Sequence, residues 1–340
     1  MTFRRKLVAT LVLAALLATA FFPALLSGAY GIGPGRVASI VWSKATGRPL
    51  PANVTRAQEV VVWRIRLPRV ILAIVAGVAL SVSGVAYQGC FRNPLVEPYI
   101  LGVSSGAACG ASLAIVFPAH FPGTQPTAFA FALAAVFLAY NLARNRGLIS
   151  PMALVLSGII VGALFSAAAG VMKYLAADSQ LREITFWMMG GLYFADWGDV
   201  GLTLKAVLPA AILLWWYGWH LNVLSLGDEE ARGLGVNPAR SRLVIIVAST
   251  LAASVCVSVC GIIAWVGLMT PHAARMILGP DNRWVMPGAA ALGAIYLLVC
   301  DTIARTLTMA EIPLGIVTSI LGAPYLLWLL RSKGRELYAN

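Results

Sequence analysis

The sequence predicts an all-α integral membrane protein with about ten transmembrane helices, arranged as inverted repeats. The chain is 60% hydrophobic, and its mean hydropathy of +0.84 lies above the range of soluble globular proteins. Charged residues make up 11% of the chain and lie mostly between long apolar runs. At roughly 20 residues per span, the apolar length suffices for about eight to eleven spans and leaves no soluble domain. Soluble functions therefore have to be supplied by other chains.

The spans follow one another closely along the chain. A basic segment, Arg4–Lys6, precedes an apolar run at 7–30, so we expect an uncleaved first span with its N-terminus inside. A polar loop at 31–66 follows and is expected outside. Nine further spans are predicted at 69–89, 98–117, 127–143, 150–172, 200–219, 243–262, 263–278, 285–305 and 314–331. An even count places both termini, including the tail at 332–340, in the cytoplasm.

The outer loop is unusually basic for its predicted side. Short basic loops normally stay in the cytoplasm, so this charge needs another explanation. An acidic partner outside the membrane supplies one. The basic residues in or next to the loop are Arg36, Lys44, Arg48, Arg56, Arg64, Arg66 and Arg69.

Two apolar segments are predicted to be broken inside the membrane. The uncharged stretch from Val244 to Ala274 would be about 46 Å long as one helix, against a hydrocarbon core of roughly 30 Å. Gly261, Gly267 and Pro271 offer places to break it. An acid at such depth is functional, or it caps or pairs with a nearby arginine. The predicted break residues are Arg92, Asn93, Pro94, Glu97, Pro98, Gly267 and Pro271.

An internal repeat supports the ten-span count. Gly84, Pro94 and Gly102 recur 177 positions later as Gly261, Pro271 and Gly279 (261 − 84, 271 − 94, 279 − 102). The first repeat is placed at about 67–172 and the second at about 243–331, with the sixth span at 200–219 between them. The equivalent segments are five spans apart, so the halves are expected to be inverted, a plan typical of transporters.

A polar stretch at 221–242 separates the two halves. Asp228, Glu229 and Glu230 begin a predicted helix, where the helix dipole favours acids. Gly233 and Gly235 are expected to divide the stretch into two short helices. We interpret it as a water-exposed cytoplasmic loop that a soluble partner moves.

Several motifs, in order from about Arg66 to Arg331, resemble the FecCD (BtuC-like) permeases. These are the membrane subunits of binding-protein-dependent ABC importers for ferric siderophores, haem and cobalamin. The motifs are Arg66-Leu-Pro-Arg69, Gln88-Gly-Cys-Phe-Arg-Asn-Pro-Leu-Val-Glu-Pro98, Leu101-Gly-Val-Ser-Ser-Gly106, Trp187-Met-Met-Gly-Gly191, Leu226-Gly-Asp-Glu-Glu-Ala-Arg-Gly-Leu-Gly235 and Glu311-Ile-Pro-Leu-Gly315.

The resemblance implies a ten-helix subunit of the bacterial inner membrane. It also implies a homodimer with the pathway at its axis, two copies of a cytoplasmic ABC ATPase, and an external substrate-binding protein, periplasmic or lipid-anchored. Because no GxxxxGK[ST] loop occurs in the chain, ATP and Mg²⁺ are expected in the partner ATPase. No cofactor, catalytic residue or nucleic-acid partner is expected in this chain, and the charge of +12 is attributed to membrane topology.

The resemblance also assigns roles to particular residues. The ATPase-coupling residues are Leu226, Gly227, Asp228, Glu229, Glu230, Ala231, Arg232, Gly233, Leu234 and Gly235. Arg66 and Arg305 are the binding-protein docking residues, although Arg305 is also spaced to pair with Asp301. The pathway and cytoplasmic gate comprise Val103, Ser104, Ser105, Gly106, Leu148, Ile149, Ser150 and Pro151.

Two alternatives stay open from the residues alone. An ion-coupled secondary transporter suits broken helices and inverted repeats, but needs a buried acid, for which Glu97 and Asp301 are the candidates. The same type of importer with a smaller oxyanion as substrate is the other. Neither the scattered His120, His220 and His272 nor the five cysteines, which contain no CxxC pair, predict a metal site.

Overall fold

The computed structural model describes residues 2–145, 148–308 and 310–338 as a helical bundle with one short hairpin. The helices are α1 (Phe3–Leu26), α2 (Pro34–Thr46), α3 (Arg56–Glu59), a π-helical segment (Val60–Arg66), α4 (Leu67–Phe91), α5 (Val103–Val116), α6 (Thr124–Ala143), α7 (Pro151–Leu175), α8 (Asp178–Met189), α9 (Trp197–Trp216), α10 (Gly218–Leu224), α11 (Asp228–Gly233), α12 (Pro238–Cys260), α13 (Val266–Leu278), α14 (Asn282–Thr306) and α15 (Leu314–Tyr338). The strands β1 (Arg144–Asn145) and β2 (Leu148–Ile149) pair antiparallel.

The predicted all-α membrane fold is confirmed. Seven helical segments within the described residues are long and apolar enough to cross a membrane: Phe3–Leu26, Arg56–Phe91, Thr124–Ala143, Pro151–Leu175, Trp197–Trp216, Pro238–Cys260 and Asn282–Thr306. Two shorter apolar helices, α5 and the Leu314–Trp328 part of α15, lie at two further predicted spans. The 13-residue helix α13 lies at the remaining predicted span, 263–278.

Helix α4 is the packed centre of the bundle. It continues the π-helical segment, so 36 residues run without a break from Arg56 to Phe91. Pro68 has no N–H to continue the α-helical ladder, which accounts for the irregular turn before it. At Gly77 an added Cβ would collide with the backbone of Gly293 in α14. This close approach lets helices α4 and α14 pack without side chains between them.

The two predicted breaks are present. The first occupies 92–102, after Arg92 ends α4 with φ +52°. The second occupies 261–265, between helices α12 and α13. The Tyr99 hydroxyl donates to the Ile263 carbonyl at 2.9 Å, so the two non-helical segments support each other. Residues 96–102 and 261–265 are all buried or half-buried in protein, the condition under which irregular structure is tolerated at membrane depth.

Gly267 and Pro271 do not break the chain, and this prediction is wrong. Both lie inside helix α13. The break begins instead at Gly261, directly after the end of helix α12. Because Pro271 lacks an N–H, the Gly267 carbonyl four residues earlier receives no helical hydrogen bond from it. An added Cβ at Gly84 of α4 would collide with that carbonyl. The two residues therefore serve the contact between helices α13 and α4.

The predicted loop at 31–66 is a folded unit, which we call the cap. Helix α2 and the π-helical segment enclose a small apolar core with the end of α1. Its buried members are Leu25, Ile32, Val37, Ile40, Val62 and Leu67. Helix α8, between the fifth and sixth predicted spans, was also missed by the sequence prediction.

Helices α4 and α12 run in opposite directions. Helix α4 ends and α12 begins beside Asp228, as the contacts of that residue show. The offset of 177 residues does not align equivalent positions, however, since Pro94 lies in a break and Pro271 in a helix. The helix ends before the two breaks, Phe91 and Cys260, differ by 169 positions (260 − 91).

Candidate functional site

Polar residues gather at the two ends of helix α4, named here the Asp228 end and the Asp301 end. At the Asp228 end, helices α10 and α11 form a projecting turn. Leu226 and Leu234 flank α11 and are 62% and 54% exposed. The side chains of Glu229 and Glu230 also face solvent. The turn therefore presents an acidic surface bordered by two exposed leucines.

The short helices of this turn differ from the prediction. The first, α10, precedes Asp228, and Gly233 is the last residue of the second. Gly235, at φ +79°, turns the chain from α11 into α12. Of the ten predicted coupling residues, Gly227 and Ala231 are buried and Asp228 is partly buried. The exposed ones are Leu226, Glu229, Glu230, Arg232, Gly233, Leu234 and Gly235.

Asp228 differs from its acidic neighbours because two arginines bind it. Arg242 of α12 donates to Oδ2 from Nη1 at 2.7 Å and to Oδ1 from Nη2 at 2.5 Å. Arg92 also donates to Oδ1. The hydrogen bonds from Arg242 hold the pKa of the Asp228 carboxyl below its usual value. Since Arg92 binds Asp228, the expected pairing of Glu97 with Arg92 is not formed within the described residues.

The break at 92–102 is held by other contacts. His272 Nε2 lies 2.9 Å from the Pro94 carbonyl oxygen. An added Cβ at Gly267 would collide with the ring of Pro98. Gln88 donates to the Val96 carbonyl at 3.3 Å. The first two contacts join the first break to helix α13, and the third joins it to α4. They give the predicted break residues Pro94 and Pro98 a structural role.

At the Asp301 end, a fully buried carboxylate lies between two arginines. Arg69 Nε donates to Asp301 Oδ1 at 2.8 Å, and Arg305 Nε lies 3.4 Å from Oδ2. Asp301 is 0% exposed. Arg69 also donates to Glu311 at 2.7 Å, in the segment that leads into α15. The cluster thus joins α4, α14 and the start of α15.

The two predicted docking arginines are bound to the end of α1. Arg66 donates to the carbonyls of Leu26 at 3.0 Å and Tyr30 at 2.5 Å. Arg305 donates to the Ser27 carbonyl at 2.8 Å. Both side chains are buried. Docking stays a prediction. In this chain both residues anchor the end of α1, and Arg305 also pairs with Asp301, the alternative raised for it.

The predicted pathway helix α5 is packed between α6 and α7. Val103 and Gly106 are buried, and an added Cβ at Gly106 would meet the Phe131 carbonyl. Ser104 and Ser105 are half-buried, and Ser166 of α7 donates to Ser105 at 3.2 Å. Of the four predicted pathway residues in α5, Ser104 and Ser105 thus reach a surface that can border a path.

The predicted gate contains one strand of the short hairpin. Leu148 and Ile149 form β2, and their side chains lie outside the described part of the structure. Ser150 is exposed and caps α7 by accepting from the Ala153 amide at 3.1 Å, and Pro151 is the first residue of that helix. Their assignment to a gate stays a prediction.

A cavity of about 580 Å³ lies near the Asp301 end, between helices α8, α9 and α12. Its wall is mainly apolar and includes the carboxylates of Glu183 and Asp199. The sequence prediction missed it because α8 forms one side. No group of three or more His, Cys, Asp or Glu side chains suited to a metal ion occurs among the described residues.

Membrane-spanning helices with internal breaks, a packed central helix and polar ends define a multi-pass membrane transport protein. A family model described as the FecCD transport family matches residues 15–332. The chain therefore belongs to the FecCD transport family, as its motifs predict.

Three similar proteins illustrate the range of this family. The hemin transport system permease protein HmuU of Yersinia pestis is 45% identical over 79% of this chain and 83% of its own. The molybdate import system permease protein MolB of Haemophilus influenzae is 36% identical over 87% of each chain. A solved structure described as an inward-facing conformation of a metal-chelate type ABC transporter is 33% identical, covers 95% of this chain and 98% of its own, and has a TM-score of 0.81.

Proposed function

We propose that this chain is the membrane permease subunit of an ABC importer that carries a metal chelate inward across the bacterial inner membrane. The observation that carries this proposal is the exposed acidic turn at the Asp228 end, in a chain of the FecCD transport family. A folded, polar projection between membrane helices has the form of a contact for a soluble ATPase. ATP and Mg²⁺ belong to that partner, of which we propose two copies.

We propose a ferric siderophore, haem or cobalamin as the substrate. The relatives HmuU, a hemin permease, and MolB, a molybdate permease, set the two candidate classes. The higher identity to HmuU favours the chelate over the oxyanion. Competing uptake of both classes with the cognate binding protein decides between them.

We propose a homodimer with helix α7 at its interface and the pathway at the dimer axis. Small side chains at one exposed stripe of this helix allow close helix packing in membranes. The stripe consists of Ala163, Ser166, Ala167 and Gly170. A Gly170→Cys variant tests this directly, because all five native cysteines are buried. We expect a cross-linked dimer in membranes, and a monomer under the same oxidant would contradict the proposal.

We propose that the Asp301 end and the cap face outward and receive an acidic binding protein, with both termini in the cytoplasm. Arg36, Arg48, Arg56 and Arg64 of the cap are exposed, and charge at such a surface raises the association rate. Arg66 and Arg305 support this face by holding the end of α1.

Arg64 and Arg66 provide a matched test of this surface, since the first is exposed and the second buried. Arg64→Glu is expected to weaken binding-protein stimulation of ATP hydrolysis while leaving the unfolding temperature unchanged. Arg66→Gln is expected to lower the unfolding temperature. Unchanged stimulation in Arg64→Glu would count against an acidic partner at the cap.

A secondary transporter is the second candidate, and the structure disfavours Asp301, one of its two candidate coupling acids. Asp301 is already paired with Arg69 and Arg305, so it is not free to bind a coupling ion. Uptake into proteoliposomes tests both candidates. We expect uptake to require ATP and to survive collapse of the proton gradient, and the reverse result would favour the secondary transporter.

A further inference from the structure

Three chain elements meet at the Asp228 carboxylate. Asp228 is the first residue of α11, Arg242 lies in the second turn of α12, and Arg92 ends α4. Arg242 is 2% exposed, so its guanidinium is fixed inside the bundle. A bidentate arginine–carboxylate pair fixes direction as well as distance. Helix α11 is therefore tied in orientation to two long helices.

The neighbouring acids have a different environment. Glu229 and Glu230 are exposed, and neither forms an ion pair with a described residue. Their side chains are available to a partner, whereas both oxygens of Asp228 are occupied by Arg242. The acidic turn thus contains two kinds of residue, one bound within the chain and two facing outward.

Helix α12 connects the ion pair of Asp228 and Arg242 to the far end of the bundle. Its 23 residues span about 35 Å, enough to cross the hydrocarbon core. At its far end the Cys260 carbonyl accepts from the Gly191 amide at 2.9 Å, and the Gly190 carbonyl accepts from the Leu314 amide at 2.9 Å. The end of α12 is therefore bonded to the chain after α8, which is bonded to the start of α15.

This far junction is closely packed. Gly190 and Gly261 both have φ +68°, where a side chain is strained. An added Cβ at Gly261 would collide with the Trp187 carbonyl. With no side chains between the backbones, a displacement of α12 reaches α8 and α15 with little loss.

We propose that Asp228 is a positioning residue that transmits movement of α11, through Arg242 and helix α12, to α8 and α15. The inference rests on the proposed function, since the ATPase supplies the movement. Asp228 itself does not contact the ATPase. Glu229 and Glu230 form that contact.

The test uses the full permease with its ATPase and binding protein in proteoliposomes. Asp228→Asn keeps the side-chain shape but removes the charge, and Glu229→Gln is the matched change at an exposed neighbour. Three quantities are measured: affinity for the ATPase, ATP hydrolysis, and substrate transported per ATP.

We expect Asp228→Asn to keep its affinity for the ATPase and to lose about tenfold in transport per ATP, the factor that loss of a hydrogen bond to a charged group supports. Glu229→Gln is expected to do the opposite, weakening ATPase affinity while preserving transport per ATP in the complexes that form. Wild-type transport per ATP in Asp228→Asn would overturn the proposal, and so would a loss of ATPase affinity like that of Glu229→Gln.

The wild-type arm separates this proposal from the proposed function. A wild-type chain without ATP-driven uptake would overturn both. If wild type and Asp228→Asn transport the same amount of substrate per ATP, only the positioning role of Asp228 is overturned. Arg92→Gln is the second variant, chosen because Arg92 is exposed and Arg242 still holds Asp228. It is expected to lower transport per ATP by less than Asp228→Asn, and an unchanged ratio would contradict the role of Arg92.

Discussion

The two ends of helix α4 carry the same arrangement, an aspartate between two arginines, in different surroundings. Asp301 is fully buried between Arg69 and Arg305, whereas the Asp228 side chain is 36% exposed between Arg92 and Arg242. A buried pair is costly to break because the remaining charge has no solvent. A half-exposed pair keeps a fixed geometry at a lower desolvation cost. The first arrangement suits a permanent support and the second suits a joint to a moving element.

The largest expected effect separates the two aspartates by stability. Asp301→Asn leaves buried Arg305 without a charged partner and Arg69 with Glu311 alone, so it is expected to lower the free energy of unfolding by about 3–5 kcal/mol. Asp228→Asn is expected to cost about 1 kcal/mol, since solvent screens its pairs. Denaturant unfolding of both variants in the same detergent measures the difference, and equal losses would show that burial does not distinguish the two ends.

A second prediction concerns the dependence on pH. The pKa of Asp228 is lowered mainly by its hydrogen bonds with Arg242, so its stabilising contribution is present above its unfolded pKa of about 3.9 and is lost as pH falls through the folded value. Asp281, which caps α14 at the same end, has a pKa lowered to about 2 by its bond to Arg283.

The stability difference between wild type and Asp228→Asn is therefore expected to be constant from pH 7 to about pH 5 and to shrink below pH 4. Unfolding curves of both proteins across this range provide the measurement. A difference that disappears already near pH 6 would mean that a group other than Asp228 titrates at this end.

Salt gives a smaller effect of the same kind. Raising the ionic strength to 1 M shortens the Debye length to about 3 Å, so the cost of Asp228→Asn is expected to fall. The cost of Asp301→Asn is expected to stay constant, because its ion pairs exclude solvent. Salt sensitivity at both sites, measured by the same unfolding curves, would contradict the contrast.

The smallest effect on stability is expected at the exposed turn. Leu234→Ala should change the free energy of unfolding by less than about 0.5 kcal/mol, because its side chain is mostly exposed. Its affinity for the ATPase should fall, measured by titration of the purified subunit. Leu251→Ala is a control, as Leu251 is exposed on α12 more than two turns beyond Arg242. Equal affinities of the two variants for the ATPase would show that Leu234 is not part of the contact.

The sequence predicted the spans well because membrane helices need long apolar runs. It missed α8 and helix α2 of the cap because these elements are short and polar, and their stability comes from packing, as at Ile184 and Ile40. It also read Pro271 as a break, although a proline is tolerated in a helix whose freed carbonyl meets a neighbour such as Gly84.

The candidate site was predicted in part. The acidic turn was located correctly by its composition, but the different roles of Asp228 and Glu229 depend on Arg242 in another helix. No spacing rule could assign the two arginine partners of Asp228, since Arg242 is 14 positions away and Arg92 is 136 positions away. The burial of Arg66 and Arg305 likewise depends on where α1 ends in space.

Retention of the ATPase by the permease tests the role of the Asp228 end most directly. Wild type and a Glu229→Lys/Glu230→Lys variant are purified with the ATPase co-expressed, and their unfolding temperatures are compared. We predict that the wild type retains the ATPase and that the variant loses both the ATPase and ATP-driven uptake at an unchanged unfolding temperature. A folded variant with wild-type retention and uptake would contradict the assignment of this end to the ATPase.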